Sequence, residues 1–437
     1  MNPVSFMAEH LGYLAIRYFG ISCSRPGRCF LFKTEKLEDY QSSLSDPSRG
    51  TNQTGMKLYN ERLVLSLIRS HGPLSKGEVS RMTGLSAQAS SVIMKQLESD
   101  GLLVRGEPQR GKVGQPSVPM SLNPEGAFSI GLKVGRRTAE LVLMDMAGQM
   151  RRFINTTYAY PTPVLLMEFV DRAVNEIIDN LTRIQLGRVR GIGIAMPSEM
   201  WSWEEEVGAP HMMADAWKAF DLKAHIEQKF SLPVHAYNDA TAACAAEMAF
   251  GVGRKYPDFL YVFFATLVGG GVVLDGALYP GRRGYAGSIG SAPVPAPESG
   301  QPPRRLIQCA SIYLLERMIV ESGGDPSLIW HKSDDWSHLG DVLDRWVQQA
   351  ADSLAFVIAS AISVIDFHNV VIDGGFPAHV REDLVRRTRF KVTEMEVQGV
   401  APVEIVEGHI GSDARVLGAA SLPLLAEYAR DRDILFS

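Results

Sequence analysis

The chain has 437 residues, of which 46% are hydrophobic and 21% are charged. This composition is typical of a globular protein, and the length predicts two or three domains rather than one. Asp and Glu outnumber Lys and Arg by 49 to 44, so the net charge of −5 indicates no general affinity for nucleic acid. No apolar run approaches about 18 residues, which argues against a membrane-spanning helix.

The cysteines and the N-terminus bear on where the protein works. The four cysteines (Cys23, Cys29, Cys244 and Cys309) form no CxxC pair, so their spacing indicates neither a disulfide framework nor a zinc knuckle. Charged residues interrupt the apolar part of the N-terminus, which also lacks a basic start and is therefore a poor signal peptide. We expect a cytoplasmic protein without a membrane partner.

Residues 1–52 match the rest of the chain poorly and run into the linker-like sequence YQSSLSDPSRGTNQTG, which is rich in Ser, Gly, Asn and Pro. We expect them to form a disordered or loosely packed arm. Alternatively, they result from a start site placed too far upstream, with the working protein beginning close to Gly50 or Met56.

Residues 53–124 are predicted to form a winged helix-turn-helix. The segment NERLVLSLIRSHG has apolar residues at helical spacing. A second helix opens with the capping box of Ser75 and Glu78 and ends at Gly84, and Ser86 is the predicted N-cap of a third helix. The next segment, LLVRGEPQRGKVGQPSVPMSLN, has the pattern of a strand, a basic glycine-rich loop and a strand. Three apolar residues of the third helix are expected to face inward: Val92, Ile93 and Leu97.

This segment is also more basic than the rest of the chain. Between Gln53 and Gln115, nine Lys and Arg residues stand against five Asp and Glu residues, a local charge of +4. The basic loop suits phosphates or a minor groove, and small polar side chains on the third helix can approach base edges. A plain helical bundle that binds another protein is the alternative. The predicted DNA-binding residues are Ser86, Gln88, Ser90, Ser91, Lys95, Arg110, Lys112 and Gln115.

From Gly126 onward, predicted strands and helices alternate. Two glycine-containing hairpins, SIGLKVGRRTAELVLMDMAG and DFLYVFFATLVGGGVVLDGALYPG, each open such a run. The repetition predicts a duplicated α/β domain, residues 125–250 and residues 251–437, with a cleft between the halves. Backbone N–H groups of such hairpins can hold a phosphate. A site that transfers phosphate also needs a carboxylate that organises Mg²⁺, and Lys133 occupies the position where this carboxylate is expected.

The order of these segments resembles the ROK family, which unites sugar kinases with winged-helix, sugar-responsive repressors on a duplicated actin-like ATPase (ribonuclease H-like) fold. The resemblance covers roughly residues 53–430. It rests on the order of GIGIAMP, LPVHAYNDATAA, GGGVVLDGALYPG, GYAGSIG, IDGGFP and VLGAA after the winged helix. The attached winged helix, which is MarR-like, implies the repressor branch, because the family's free-standing kinases lack it.

The phosphate hairpins depart from the family pattern. The first usually carries an aspartate followed by Gly-Gly-Thr, and this chain has the run Lys133-Val134-Gly135-Arg136-Arg137-Thr138. In the second, Ala265-Thr266-Leu267 replaces Gly-Thr-Gly, although Gly269, Gly270 and Gly271 remain. Both hairpins are therefore interpreted as degenerate.

The family's AGEIGH signature is altered as well. Ser288 replaces the glutamate that holds sugar hydroxyls, and Ser291 replaces the histidine that binds zinc. A proline-rich segment follows where the family has a cysteine-rich zinc loop, and Cys309 alone cannot build a tetrahedral zinc site. We expect no metal and no cofactor.

Asp239 matches the family's catalytic and sugar-binding aspartate, with Asn238 beside it. A carboxylate here can act as a general base, can only accept hydrogen bonds from a sugar, or can simply cap the helix that begins at Ala240. With Ser288 and Ser291, these two residues form the predicted ligand-binding set.

Lys133 argues against catalysis because its ammonium group repels Mg²⁺. Together with Arg136 and Arg137 it could hold an anion, such as a phosphorylated or acidic sugar. Alternatively, Lys133 pairs with a nearby carboxylate, of which Asp239 is one candidate, and fills the vacant site.

We therefore expect a sugar-responsive DNA-binding repressor of genes for carbohydrate uptake or catabolism, and not an enzyme. The expected partners are a palindromic DNA operator, a sugar or sugar derivative as effector, and further copies of the chain in a homodimer or homotetramer. Two alternatives stay open: an ATP-dependent sugar kinase with a fused DNA-binding domain, and a DNA-binding protein that ignores sugars.

Overall fold

The computed structural model describes residues 53–108, 117–198, 200, 211–296, 300–331, 334–395 and 399–430. The expectations for residues 1–52 and for the loop residues Arg110, Lys112 and Gln115 lie outside this part of the chain. From Leu58 onward the described chain forms one compact unit.

The N-terminal elements are three helices and a two-stranded antiparallel hairpin, as predicted. The second helix begins with the capping box of Ser75 and Glu78 and ends at Gly84, whose φ of 70° is left-handed. The Oγ atom of Ser86 accepts a hydrogen bond from the N–H of Ala89 and caps the third helix. The elements are α1 Gln53–His71, α2 Lys76–Thr83, α3 Ala87–Ser99, β1 Leu103–Arg105 and β2 Met120–Leu122.

The first α/β half is built on a five-stranded sheet with the order β5-β4-β3-β6-β7. Its first three strands along the chain pair in antiparallel fashion, and β6 and β7 continue in parallel. The strands are β3 Phe128–Val134, β4 Thr138–Asp145, β5 Met150–Thr157, β6 Val189–Met196 and β7 Val234–Asn238. The helices are α4 Pro163–Asp179, α5 Arg183–Leu186, α6 His211–Lys218, α7 Leu222–Phe230 and α8 Asp239–Phe250.

The second half repeats this topology with the sheet order β10-β9-β8-β13-β14, which confirms the predicted duplication. The strands are β8 Phe259–Phe264, β9 Gly269–Leu274, β10 Ala277–Leu278, the separate pair β11 Pro293–Val294 and β12 Arg304–Arg305, and then β13 Asn369–Gly374 and β14 Glu404–Glu407. The helices are α9 Leu306–Ala310, α10 Ile312–Glu321, α11 Leu328–His331, α12 Asp341–Ile362, α13 Ala378–Glu394 and α14 Ala414–Tyr428.

Two helices, α8 and α14, lie in the interior and bring the halves together. Helix α14 packs on β3 and β6 of the first sheet, whereas α8 packs on β9 of the second sheet and against α14. The two helices approach so closely that a Cβ atom at Gly418 would collide with the carbonyl oxygen of Ala242. The glycine of the VLGAA motif is therefore required by helix packing.

The hydrophobic core has a separate cluster on the outer face of each sheet and a third that includes the winged helix. This third cluster joins side chains of α1–α3, among them Leu65 and Leu97, to Met144 of the first sheet and Leu424 of α14. The winged helix is thus packed onto the α/β body by buried apolar side chains. Within the described ranges, no helix is both long and apolar enough to cross a bilayer.

Candidate functional site

A cavity of about 260 Å³ lies where the two glycine hairpins approach each other, and residues from both halves line it. It brings together residues as far apart in the sequence as Gly135 and Arg415. Eight of the predicted ligand-site and phosphate-hairpin residues line this cavity: Gly135, Arg136, Asn238, Asp239, Gly269, Gly270, Ser288 and Ser291.

Asn238 and Asp239 reach the cavity because β7 ends there and α8 begins. The Oδ1 atoms of Asn238 and of Asp239 each lie 3.0 Å from the N–H of Ala240. Asn238 precedes the helix and is its N-cap, so the alternative that assigned this role to Asp239 is wrong. The second carboxylate oxygen of Asp239 lies 3.5 Å from a guanidinium nitrogen of Arg415.

Arg415 is a cavity residue that the sequence analysis missed. It occupies the first turn of α14, and its guanidinium lies over the ring of Phe263 at 5.6 Å from the centroid. Its Nε atom is buried without a hydrogen-bond acceptor in the described structure. The only sequence signal was a single arginine that immediately precedes the VLGAA motif.

Lys133 pairs with a nearby carboxylate, as one alternative predicted, but the partner is Glu140 and not Asp239. Its Nζ atom lies 2.5 Å from Glu140 Oε1 and 2.8 Å from Thr138 Oγ1. The reason is local, because Lys133 and Glu140 are direct neighbours in the antiparallel ladder of β3 and β4. The pKa of Lys133 is lowered to about 8, first by burial and then by the positive charge of Arg415, whereas Glu140 opposes this shift.

The side chains of the two arginines of the first hairpin point in different directions. Arg136 lines the cavity, with its guanidinium 5.2 Å from the ring centroid of Tyr160 and its Nε atom buried without an acceptor among the described residues. Arg137 instead points to the second half, where it lies 2.9 Å from Glu316 Oε1 and over the ring of Trp330. Arg137 therefore does not contribute to an anion site in the cavity.

The serines at the altered signature both lie on the cavity wall and are exposed to it. Ser288 precedes the short 3₁₀ turn Ile289–Ser291 and Ser291 ends it, and both supply hydroxyl groups without charge. In the described ranges, no group of three or more His, Cys, Asp and Glu side chains is close enough to hold a metal ion.

The exposed face of α3 is the candidate DNA-reading surface. Ser86, Gln88 and Lys95 are exposed, and Ser91 is half-buried and accepts a hydrogen bond from Lys76 Nζ at 3.2 Å. This arrangement leaves the side chains of Gln88 and Lys95 accessible to base edges and phosphates.

Two residues of α3 lie on the opposite face from the one predicted. Ser90 is fully buried and is therefore excluded from direct contact with DNA. Val92, expected to face inward, is 62% exposed and sits between Gln88 and Lys95 at helical spacing. The cause is the helical period, which places residue 90 on the buried face with Ile93 and Leu97.

The comparison with known proteins follows the same division of the chain. A model of the ROK family matches residues 129–425, and a model of the MarR family matches residues 58–112. The xylose repressor of Bacillus spizizenii is 25% identical over 295 residues, which cover 67% of this chain and 75% of that protein.

Solved structures with the same fold include regulators and kinases. A ROK family transcriptional regulator, described as a homologue of the Escherichia coli MLC protein, has a TM-score of 0.62 at 20% identity and covers 87% of this chain and 98% of its own. A ROK family glucokinase from Streptomyces griseus, in complex with glucose and AMPPNP, has a TM-score of 0.53 at 21% identity over 68% of this chain and 99% of its own. The predicted fold class is confirmed, and because the ROK match spans more than half of its length, this chain belongs to the ROK family.

Proposed function

We propose that this protein is a transcriptional repressor whose affinity for DNA is set by a sugar or sugar derivative bound in the cavity. The observation that carries the proposal is the course of α14. This helix begins at the cavity with Arg415 and ends against the winged helix with Tyr428. Tyr428 belongs to the apolar cluster that contains the core of the winged helix. Just beyond it, the backbone N–H of Arg430 donates to Ser66 Oγ of α1 at 3.1 Å.

Helix α8 supports the same coupling. It begins at the cavity with Asp239, and its last residue, Phe250, packs against the cluster that contains the winged-helix core. A ligand that changes the contact between Asp239 and Arg415 acts on the first turns of both helices. Since α8 and α14 touch tightly along their length, we expect them to shift as a pair and to reposition the winged helix. Coupling energies of this kind are typically about 1–3 kcal/mol.

The DNA side of the proposal rests on the MarR family match and on the name of the relative, a xylose repressor. In a homodimer or homotetramer, two winged helices related by two-fold symmetry would read two half-sites of a palindromic operator. The exposed face formed by Gln88, Val92 and Lys95 would enter the major groove, where an apolar side chain can contact thymine methyl groups. The protein would act in the cytoplasm, and the genes that it regulates would serve carbohydrate uptake or catabolism.

We infer that the cavity does not transfer phosphate. A Mg²⁺ ion near the first hairpin would meet the ammonium of Lys133, already bound to Glu140, and the guanidinium of Arg415. Both charges oppose the binding of a divalent cation. The competing function, an ATP-dependent sugar kinase, is favoured by Asp239 at the start of α8 and by the glucokinase fold. ATP-dependent phosphorylation of a sugar that disappears in Asp239→Asn would establish the kinase instead.

Mobility-shift assays with DNA from upstream of this gene and its neighbours test the repressor. We expect specific shifts that a member of a sugar panel releases. Lys95→Gln should weaken binding about tenfold and flatten its salt dependence, whereas Lys223→Gln, an exposed lysine of α7, should leave it unchanged. Absence of specific binding, or binding that no sugar alters, would contradict the proposal.

A further inference from the structure

The charged residues that line the cavity leave it with an excess of positive charge. Among the described lining residues, the cations are Arg136, Arg305 and Arg415, and the only carboxylate is that of Asp239. Arg305 has an interaction of its own, and the neighbouring cations Lys133 and Arg137 each have a glutamate partner, so these three add no excess charge. Arg136 and Arg415 against Asp239 leave a net charge of about +1 in a partly desolvated setting.

Two of these arginines also have unused hydrogen-bond donors. The Nε atoms of Arg136 and Arg415 are both buried, and neither has an acceptor among the described residues. Burying a donor without an acceptor is unfavourable, and buried polar groups are nearly always paired. Two such donors at one cavity indicate that acceptors come from a ligand.

The carboxylate of Asp239 cannot satisfy both arginines. It lies 3.5 Å from a terminal nitrogen of Arg415 and also accepts from the N–H of Ala240. Arg136 has no carboxylate within ion-pair distance in the described structure, and its guanidinium rests on the ring of Tyr160. The electropositive character reaches the adjacent strand, because Arg415 contributes to the lowered pKa of Lys133.

We propose that the effector, whose role rests on the proposed function, is an anionic sugar. It is either a sugar phosphate or a sugar acid, and its charged group binds Arg136 and Arg415. Guanidinium groups match the oxygen atoms of phosphate and carboxylate, and these charge-assisted hydrogen bonds are among the strongest in proteins. The uncharged hydroxyls of Ser288 and Ser291, with Asn238, remain to bind the sugar hydroxyls. A neutral sugar would leave the positive charge of the cavity uncompensated.

Isothermal titration calorimetry on the full-length protein without DNA tests the inference. The probes are inorganic phosphate and matched sets of hexoses and pentoses, each as the neutral sugar, the terminal phosphate and the sugar acid. We expect an anionic form to bind at least tenfold more tightly than its neutral parent, with affinity that falls as NaCl is raised. Binding by sugar phosphates alone or by sugar acids alone identifies which anion the cavity takes.

Variants separate the cavity arginines from general charge effects. Arg136→Gln and Arg415→Gln should each remove the preference for the anionic form, and Arg136 lies outside both strands, in the bend between β3 and β4, where we expect the substitution to be compatible with folding. Arg345→Gln, an exposed arginine of α12 outside the cavity, should keep the preference. Melting curves of the free variants verify that each is folded.

Several outcomes would overturn the inference: equal or tighter binding of a neutral sugar, a preference that survives in both cavity variants, or no binding of phosphate and of every anionic sugar. Tight binding of ATP in place of the sugar anions would overturn it as well. The proposed function fails separately. A neutral sugar that releases DNA removes only the anionic effector, whereas an anionic sugar that binds without affecting DNA removes only the repressor mechanism.

Discussion

The two glycine hairpins occupy equivalent places in sheets of the same topology, yet their residues have different tasks. In the second hairpin the glycines are required by packing. A Cβ atom at Gly270 would collide with the carbonyl oxygen of Tyr261, and one at Gly271 with the side chain of Cys244. At the turn of the first hairpin, a Cβ atom at Gly135 would meet its nearest neighbours at 3.1 Å or more, whereas one at Gly131, within β3, would collide with the backbone of Ala420.

This difference shows that a run of glycines need not mark a phosphate site. Gly271 is required because α8 packs closely on β9, and Gly270 because the backbone of β8 and of Gly287 approaches it, whatever ligand the cavity takes. Among the described residues, no backbone or helix packs as closely against the turn of the first hairpin at Gly135, so charged side chains can be accommodated there. Lys133 and Arg137 of this hairpin form ion pairs with Glu140 and Glu316, whereas an ATP-binding loop would contact metal and phosphate.

The largest effect is expected for Gly270→Ala, because its new methyl group would meet backbone that cannot move aside. We expect the free energy of unfolding to fall by more than about 3 kcal/mol. Gly135→Ala in the first hairpin should cost less than about 1 kcal/mol, since the flexible side chain of Lys133 can adjust. Urea denaturation followed by circular dichroism measures both, and equal losses would break the contrast between the hairpins.

Glu140→Gln should have the next largest effect, because it leaves the ammonium of Lys133 buried without a counter-charge. Lys133 is only 5% exposed, and we expect a loss of about 3 kcal/mol in the same assay. The exposed pair of Arg105 and Glu98 in the winged helix is the matched control, and Glu98→Gln should cost less than about 1 kcal/mol. Similar losses for the two glutamates would contradict the importance of burial.

The stability of the protein should rise with pH through the titration of Lys133. The folded state releases this proton near pH 8, whereas the unfolded chain holds it until about pH 10.5. Between these values the unfolded state binds more protons, so stability increases with pH, by about 2 kcal/mol from pH 7 to pH 9.5. The free energy of unfolding of Lys133→Met should lack this rise. Parallel pH profiles for the unchanged protein and the variant would contradict the assignment of the rise to Lys133.

The smallest effect is expected for Arg137→Gln, which breaks the ion pair between the first hairpin and Glu316 of the second half. The arginine side chain is 39% exposed, so solvent screens the pair, and we expect a loss of about 1 kcal/mol. Arg386→Gln, in a surface pair with Asp383, should change the melting temperature even less. If Arg137→Gln leaves the melting temperature unchanged, this pair does not hold the halves together.

The sequence by itself determined the elements and their order. The capping box at Ser75, the glycine that ends α2 and the two repeated hairpins follow from local spacing, which acts over a few residues. The motif order was sufficient to predict a winged helix followed by a duplicated α/β body. It also placed Asn238, Asp239, Ser288 and Ser291 as candidates for one ligand site, and they do line one cavity.

Only the tertiary structure decided which charges meet. Lys133 pairs across the ladder with Glu140, and Arg137 leaves the cavity for Glu316. Arg415 reaches Asp239 across 176 positions because α8 and α14 pack side by side between the two sheets. Local sequence patterns set periodicity and turns, but the partner of a charged side chain depends on how distant elements pack, and that packing gives the cavity its positive charge.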